Sequence, residues 1–336
     1  QEGRERGQGR GHHRRRAQGR GEEGVGSVVG VDVGGTSIRA GAVTADGRFS
    51  QVEHPTEPRR GPDAVLASVE EAIRELAVAS GEPVAIGVAC AGMIRPDGLV
   101  VRAPNLGWRD VPLGEHLGKA FGVPVTVEND VRAAAWGEYR FALGTSVHSL
   151  VAVFVGTGVG SGAVLDGALW RGADNGAGEL GHTRVVLDGL PCPCGGRGCL
   201  EQYVSGAGFQ RRLGAALAEG ASTVLARACA GDPDALTATM VAAAANNGDE
   251  LARALWMDAR GYLALGLANY VTLLNPQVLV LGGGVIAALP ELFDAVAGAV
   301  MASTTVLARE SLRIQRARLG DWAGVLGAVA LAAPVR

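Results

Sequence analysis

Three of the five cysteines, Cys192, Cys194 and Cys199, fall within eight residues of PCPCGGRGCLE, and His182 stands ten residues ahead of the first. One imidazole and three thiolates form the ligand set of a closed structural zinc site, whose four tetrahedral positions leave no place for a reacting water. Reduced surface thiols are the alternative. Zinc here would organise a loop rather than perform chemistry. An odd cysteine count, with three packed so tightly, also argues against a distributed disulfide framework and for a reducing compartment. Cys90 and Cys229 sit among alanines and aliphatic residues and are expected in the core.

A second group of residues points to phosphate. In DVGGT, Gly34 and Gly35 permit a tight turn that presents bare N–H groups to an anion, Thr36 adds a hydroxyl, and Asp32 can hold a hydrated cation. A structural hairpin turn would account for this motif taken alone. VGTGVGSG (155–162) and LGGGV (281–285) repeat the pattern after apolar strands, and three such turns imply a nucleotide gripped from two sides. The only lysine is Lys119, so neither a P-loop nor a protein-kinase site is available. Phosphoryl charge must then be met by Mg²⁺, backbone N–H groups and helix dipoles. The G-x-G-x-x-G dinucleotide fingerprint is absent after the first strand, which disfavours a dehydrogenase.

VEND (127–130) closes a strand and opens a helix, placing Asn129 and Asp130 at a sheet's carboxyl edge, where ligands bind in α/β folds. Asp130 is a candidate general base for a hydroxyl attacking a γ-phosphate, with Asn129 fixing neighbouring hydroxyls. A plain helix cap explains the same residues. Glu179 and His182 in GAGELGH lie three apart and can face one way.

Positioning such groups needs strands and helices in alternation. SVVGVDVGGTSIRAGAV (27–43) reads as a strand hairpin, and residues 62–80 place Val65, Val69, Ile73 and Leu76 at helical spacing between Pro62 and Gly81. PVAIGVA (83–89) is a strand, residues 91–108 a loop, and PVTVEND (124–130) a strand that leads into a helix. SLVAVFVGTGVGSGAVL (149–165) echoes the first hairpin and implies duplication. Alanine-rich helices follow over 206–273, then the strand QVLVLGGGV (277–285), and a closing helix from GDWAGVLGAVALAA that packs back on the earlier half. These elements imply two α/β domains with mixed sheets facing each other across a cleft.

At 336 residues and 47% hydrophobic content the chain can bury two cores, while a net charge of −3 offers no general attraction to nucleic acid or anionic membrane. Residues 1–26 hold seven arginines and four glutamates with almost no apolar side chains, and are expected to be a disordered Arg/Gly-rich tail. Without an aromatic residue to stack on bases, that tail is not expected to bind RNA. No run of 18 apolar residues and no apolar leader stretch are seen, so a soluble cytoplasmic protein is expected.

In order and spacing, DVGGT, APNLGW, END, GTGVGSG, GELGH, CPCGGRGCLE and LGGGV resemble the ROK family of repressors, open reading frames and kinases, from about Val28 to the C-terminus. The resemblance implies a bilobal actin-like ATPase fold of the ribonuclease H-like kind. It divides the chain into a small domain of 27–145 plus the C-terminal helix 321–336, and a large domain of 146–320 with a zinc loop at 182–201. It implies transfer of the γ-phosphoryl of ATP to a sugar, usually at the 6-hydroxyl of glucose or an N-acetylhexosamine. By position, Asp130 is the base, and Asn105, Asn129, Glu179, His182 and Glu201 bind sugar hydroxyls. Gly34, Gly35, Thr36, Thr157, Gly158, Gly283 and Gly284 line the nucleotide, and dimers or tetramers are the usual assembly. The zinc then braces His182 and Glu201 at a fixed separation.

Sugar-sensing regulators of the same family carry a DNA-binding domain ahead of the first phosphate motif. The residues ahead of Asp32 lack the apolar content for a helix-turn-helix, and Asp130 is present, so a kinase that binds no nucleic acid is expected. The motifs look most like the family's glucokinases, with one departure. Arg132 stands two residues past the expected base, where small or amide residues are common, and this keeps N-acetylmannosamine and N-acetylglucosamine kinase in view.

Overall fold

A computed structural model of the chain describes residues 26–143 and 147–333. The expected tail therefore lies outside the described residues, apart from Gly26.

The first half runs β1 (Ser27–Val33), β2 (Ser37–Thr44), β3 (Phe49–Pro55), α1 (Pro62–Ser80) and β4 (Pro83–Cys90), then β5 (Met93–Ile94), β6 (Val100–Ala103) and β7 (Trp108–Val111). It continues with α2 (Leu113–Phe121), β8 (Val125–Asn129) and α3 (Asp130–Gly137), and α3 runs on as a wider π-helical turn over Glu138–Leu143. The second half holds β9 (Leu150–Val155), β10 (Val159–Leu165), β11 (Ala168–Trp170), α4 (Glu201–Val204), α5 (Gly206–Ala218), α6 (Val224–Ala228), α7 (Ala238–Asn246) and α8 (Glu250–Leu274). β12 (Val278–Gly282), α9 (Gly284–Ala288), α10 (Pro290–Ser303), α11 (Val306–Ser311), β13 (Arg313–Arg316) and α12 (Ala323–Ala332) complete it.

Duplication is visible in the sheets. The first is ordered β3-β2-β1-β4-β8 and the second β11-β10-β9-β12-β13. In each, the first three strands form an antiparallel meander and the last two join in parallel. The helix expected at 62–80 is α1 to the residue. Val65, Val69 and Ile73 are fully buried, each contributing about 1.5–3 kcal/mol of burial energy, and Gly81 ends the helix at a positive φ of 78°. Cys90 and Cys229 are buried as expected. One expectation fails: the loop read over 91–108 holds β5, β6 and the first residue of β7, and these three strands pair as a small antiparallel sheet. Strands of two to four residues are too short to show a period of two.

The closing helix α12 does pack back on the first half, and glycines let it come close. A methyl group on Gly87 of β4 would lie 1.9 Å from the Ala328 carbonyl oxygen, and one on Gly327 of α12 would lie 1.8 Å from that of Ala133 in α3. α3 also rests on β10 of the second sheet, where a methyl on Gly162 would lie 2.6 Å from Ala135 Cβ. The helix that begins with Asp130 is thus wedged between the two halves. Each half has its own core, one around Val31, Ile73 and Val88, the other around Val153, Leu200 and Leu267.

Candidate active site

Parallel pairing of β1, β4 and β8 sets Val33 beside Cys90 and Cys90 beside Asn129, so three strands end at one edge. Asp32 and Asp130 meet there. Asn129 caps α3: its Oδ1 accepts the N–H groups of Val131 and Arg132, both at 3.1 Å. Its Nδ2 donates to the Gly92 carbonyl at 3.2 Å and to Asp130 Oδ1 at 2.9 Å. All four hydrogen-bonding positions of that amide are therefore taken, and the cap also orients the carboxylate next to it.

Burial pushes the Asp130 carboxyl above its ordinary range, with Glu179 adding to the rise, while the N–H groups at the start of α3 and the Arg132 charge pull it back. Asp32 is pushed to about 7, first by burial and then by the Asp130 charge, with Arg39 opposing. Burial also raises the Cys90 thiol, helped by both carboxylates, which keeps it neutral. Two desolvated carboxylates, one close enough for its charge to raise the other, are the donor chemistry of a divalent-cation site.

The glycine turns close as hairpin ends. Gly34 N–H donates to the Ser37 carbonyl at 3.1 Å, and Thr56 Oγ1 holds the Gly34 carbonyl at 2.7 Å. A methyl group on Gly35 would lie 3.1 Å from Asn105 Cβ, so this turn and APNLGW touch. On the second sheet, the N–H groups of Gly206 and Ala207 at the start of α5 donate to the carbonyls of Gly156 and Thr157. Gly283 adopts φ 87° with its Cα against the end of β9; a side chain there would meet the Val155 carbonyl at 2.4 Å. The second and third turns thus lie side by side.

Between them opens a cavity of about 420 Å³ whose lining includes Thr157 and Gly284 from the sequence analysis. It also includes Gln210, Thr237 and Thr239, which no motif had marked. Gln210 Nε2 donates to the carbonyls of Asp234 at 2.7 Å and Leu236 at 3.2 Å. Carbonyls only accept, so the amide orientation is fixed and Oε1 is left as an acceptor. Gly34, Gly35 and Thr36 lie outside this cavity, on the first sheet. A larger groove of about 640 Å³ between α8 and α10 contains none of the expected site residues.

His182 and the three cysteines converge. Their ligand atoms all lie within 4.8 Å of one another, with His182 Nδ1 3.7 Å from Cys192 Sγ and Cys194 Sγ 3.7 Å from Cys199 Sγ. Ligand bonds of ~2.3 Å to sulfur and ~2.0 Å to nitrogen at tetrahedral angles require separations of about 3.5–3.8 Å. The cluster fits zinc. Burial and the neighbouring Cys192 and Cys194 push the Cys199 thiol to about 12, a cost that a cation removes. Gln202 Nε2 reaches Cys192 Sγ at 3.3 Å and is itself held by Arg211, outer support that the sequence did not reveal.

With Nδ1 on the cysteine side, His182 Nε2 faces Glu179 Oε2 at 3.9 Å. Glu201, two residues past Cys199, accepts the Val159 N–H through Oε2 at 2.9 Å. It therefore links the cysteine loop to the glycine turn of β10 and has Oε1 to spare. Lys119 pairs with Glu115 on the exposed side of α2. Arg132 is 2% exposed and paired with Glu128.

Two duplicated mixed sheets, with glycine turns on both and a buried carboxylate at a helix start, define a two-lobed fold of the actin-like ATPase class. The chain belongs to the ROK family, whose profile matches residues 28–334. A glucokinase of Streptomyces coelicolor is 38% identical over 267 residues, covering 77% of this chain and 82% of the relative. The crystal structure of a ROK family glucokinase from Streptomyces griseus in complex with glucose and AMPPNP is 34% identical, with a TM-score of 0.73, and covers 91% of this chain and 99% of its own. A ROK hexokinase from Thermus thermophilus is also 34% identical, with a TM-score of 0.77 and coverages of 91% and 97%.

Proposed function

We propose that the chain is an ATP-dependent hexose kinase that phosphorylates glucose at the 6-hydroxyl, with Asp130 as general base. The observation that carries this reading is the Asp130 carboxylate: oriented by Asn129, raised in proton affinity by burial, and near enough to Asp32 for its charge to act there. Likeness to a glucokinase bound to glucose and AMPPNP supports the substrate pair.

Asp130 takes the proton of the 6-hydroxyl as that oxygen attacks the γ-phosphorus and the bond from that phosphorus to the β–γ bridging oxygen breaks, releasing ADP. Asn105, Glu179, His182 Nε2 and Glu201 Oε1 hold the other hydroxyls. Asn129 serves by orienting Asp130, since its amide is fully engaged in the cap. The nucleotide lies between the turn of Gly34, Gly35 and Thr36 and the cavity lined by Thr157 and Gly284, with Gly158 and Gly283 next to them in the same turns. Gln210 Oε1 accepts from the exocyclic amino group of adenine. Asp32 would hold Mg²⁺, which supplies positive charge to the phosphates. The structural zinc would be held by His182, Cys192, Cys194 and Cys199, fixing the imidazole that faces the sugar.

Arg132, the residue that kept N-acetylhexosamines in view, is buried against Glu128 and does not project into the cleft. Glucose is favoured accordingly. The same proposal includes the two domains, 27–145 with 321–336 and 146–320, and a cytoplasmic location that keeps the thiols reduced. No helix among the described residues is long and apolar enough to cross a membrane. It also includes a homodimer or homotetramer, supported by the groove between α8 and α10, where Met257 and Leu265 are exposed.

A coupled ADP-release assay across glucose, mannose, fructose, N-acetylglucosamine and N-acetylmannosamine tests the reading. Glucose is expected to give the highest kcat/KM. An absence of turnover with every sugar would overturn it.

A further inference from the structure

Residues 171–178 join β11 of the second sheet to the turn that carries Glu179 and His182, yet their side-chain ties run largely to the first half of the chain. Arg171 Nε donates to Glu128 Oε2 at 2.7 Å, Arg132 Nη1 to the Ala177 carbonyl at 2.9 Å, and Asn175 Nδ2 to the Ile94 carbonyl at 3.0 Å. The Ala177 N–H closes the segment on itself through the Arg171 carbonyl at 3.0 Å. Ser161 Oγ, on β10, holds its far end at the Gly178 carbonyl, 2.7 Å away. The segment is a strap between the halves.

Glu128 is the hub. It is 1% exposed, and its Oε1 also accepts Arg132 Nε at 2.8 Å. One buried carboxylate therefore joins two guanidinium groups, one from the helix that begins with Asp130 and one from the strap. Stability alone does not account for Arg132. Its Nη2 is buried without a hydrogen-bond partner, and a buried ion pair replaced whole by apolar side chains of similar volume is often no less stable. What only an arginine supplies is a fork that reaches a carboxylate and a main-chain carbonyl together.

We propose that Arg132 is a positioning residue: through Glu128 and the Ala177 carbonyl it fixes the strap 171–178 against α3, and so sets where Glu179 stands relative to Asp130. The inference rests on the hexose-kinase reading and adds to it a residue that governs sugar binding without touching sugar. The nucleotide cavity between the second and third glycine turns shares no residue with this network. Loss of the strap's ties is therefore felt by the sugar and not by ATP.

The test is steady-state kinetics of Arg132→Ala, Arg132→Lys and Arg171→Ala with glucose and ATP, with folding checked by thermal melting. Arg132→Ala is expected to raise the sugar KM about tenfold or more while the ATP KM stays within about twofold. Arg132→Lys, which keeps the charge but can reach only one of the two acceptors, is expected to fall between wild type and alanine. Arg171 is 42% exposed and Glu128 keeps Arg132 as a partner without it, so Arg171→Ala is expected to fold and to raise the sugar KM severalfold. It decides the matter if Arg132→Ala does not fold. A sugar KM unmoved by Arg171→Ala, or an ATP KM that rises in step with it, would overturn the inference while leaving an active kinase. A wild type inactive on every sugar would bring down both the inference and the reading beneath it.

Discussion

Asp32→Asn changes one oxygen to nitrogen at the end of β1 and separates two consequences of the same carboxylate. In the folded protein the group is pushed from its ordinary 3.8 to about 7, largely by burial and then by the Asp130 charge. The folded state thus binds the Asp32 proton more tightly than the unfolded chain does. Its contribution to stability is fully present below pH 4 and is lost as pH rises towards 7. Each tenfold change in proton affinity is worth about 1.4 kcal/mol, so above pH 7 the ionised carboxylate costs the metal-free protein up to about 4 kcal/mol. Solvent access to the cleft makes that figure a ceiling, and about 2–4 kcal/mol is the expected range. The neutral amide carries no such cost. Urea unfolding of the metal- and nucleotide-free protein should therefore show Asp32→Asn and wild type nearly equal at pH 4 and the variant more stable by that margin at pH 8. Mg²⁺ with ATP should stabilise wild type and close the gap, while turnover by the variant falls at least a hundredfold. A difference between the two proteins that does not change with pH would mean that folding does not raise the proton affinity of Asp32.

Two further predictions concern other parts of the site. Removing the metal with a strong chelator, or Cys194→Ala, should raise the glucose KM about tenfold or more and leave nucleotide affinity within about threefold, because the cluster carries His182 and leads into Glu201. Metal analysis of the untreated protein should give one zinc per chain, and a fully active metal-free protein would contradict the assignment. Gln210→Leu should raise the ATP KM about tenfold and narrow the preference for ATP over GTP, with the glucose KM unmoved, since Oε1 is the group left to meet the exocyclic amino group of adenine. Unchanged discrimination between the nucleotides would remove Gln210 from base recognition.

What the sequence disclosed and what it hid follow from how local the determinants are. The helix at 62–80, the two glycine hairpins and the cysteine cluster were legible because their signals lie within a few residues of one another. So was the cap at Asn129, which stood beside the sugar-binding reading as an alternative and now accounts for all of that side chain's hydrogen bonds. The sheet of β5, β6 and β7 was not legible, since pairing between such short strands is set by the surrounding core rather than by pattern. Gln210, Thr237 and Thr239 come from alanine-rich stretches with no motif, and only packing brings them to the cavity. Arg132 stood out as unusual, but its acceptor at Ala177 is 45 residues away and its hub sits on the preceding strand. A residue's oddity can be read from one line of sequence, whereas its partners cannot.

Asp130 is proposed to take the proton of a sugar hydroxyl during phosphoryl transfer from ATP. The most direct test of this role is turnover of glucose by Asp130→Asn beside calorimetric glucose binding to the same protein. The amide keeps the shape of the carboxylate and cannot accept the proton, so kcat should fall by about three orders of magnitude or more while the glucose Kd stays within about tenfold. A variant that turns glucose over at near wild-type rates would contradict the account.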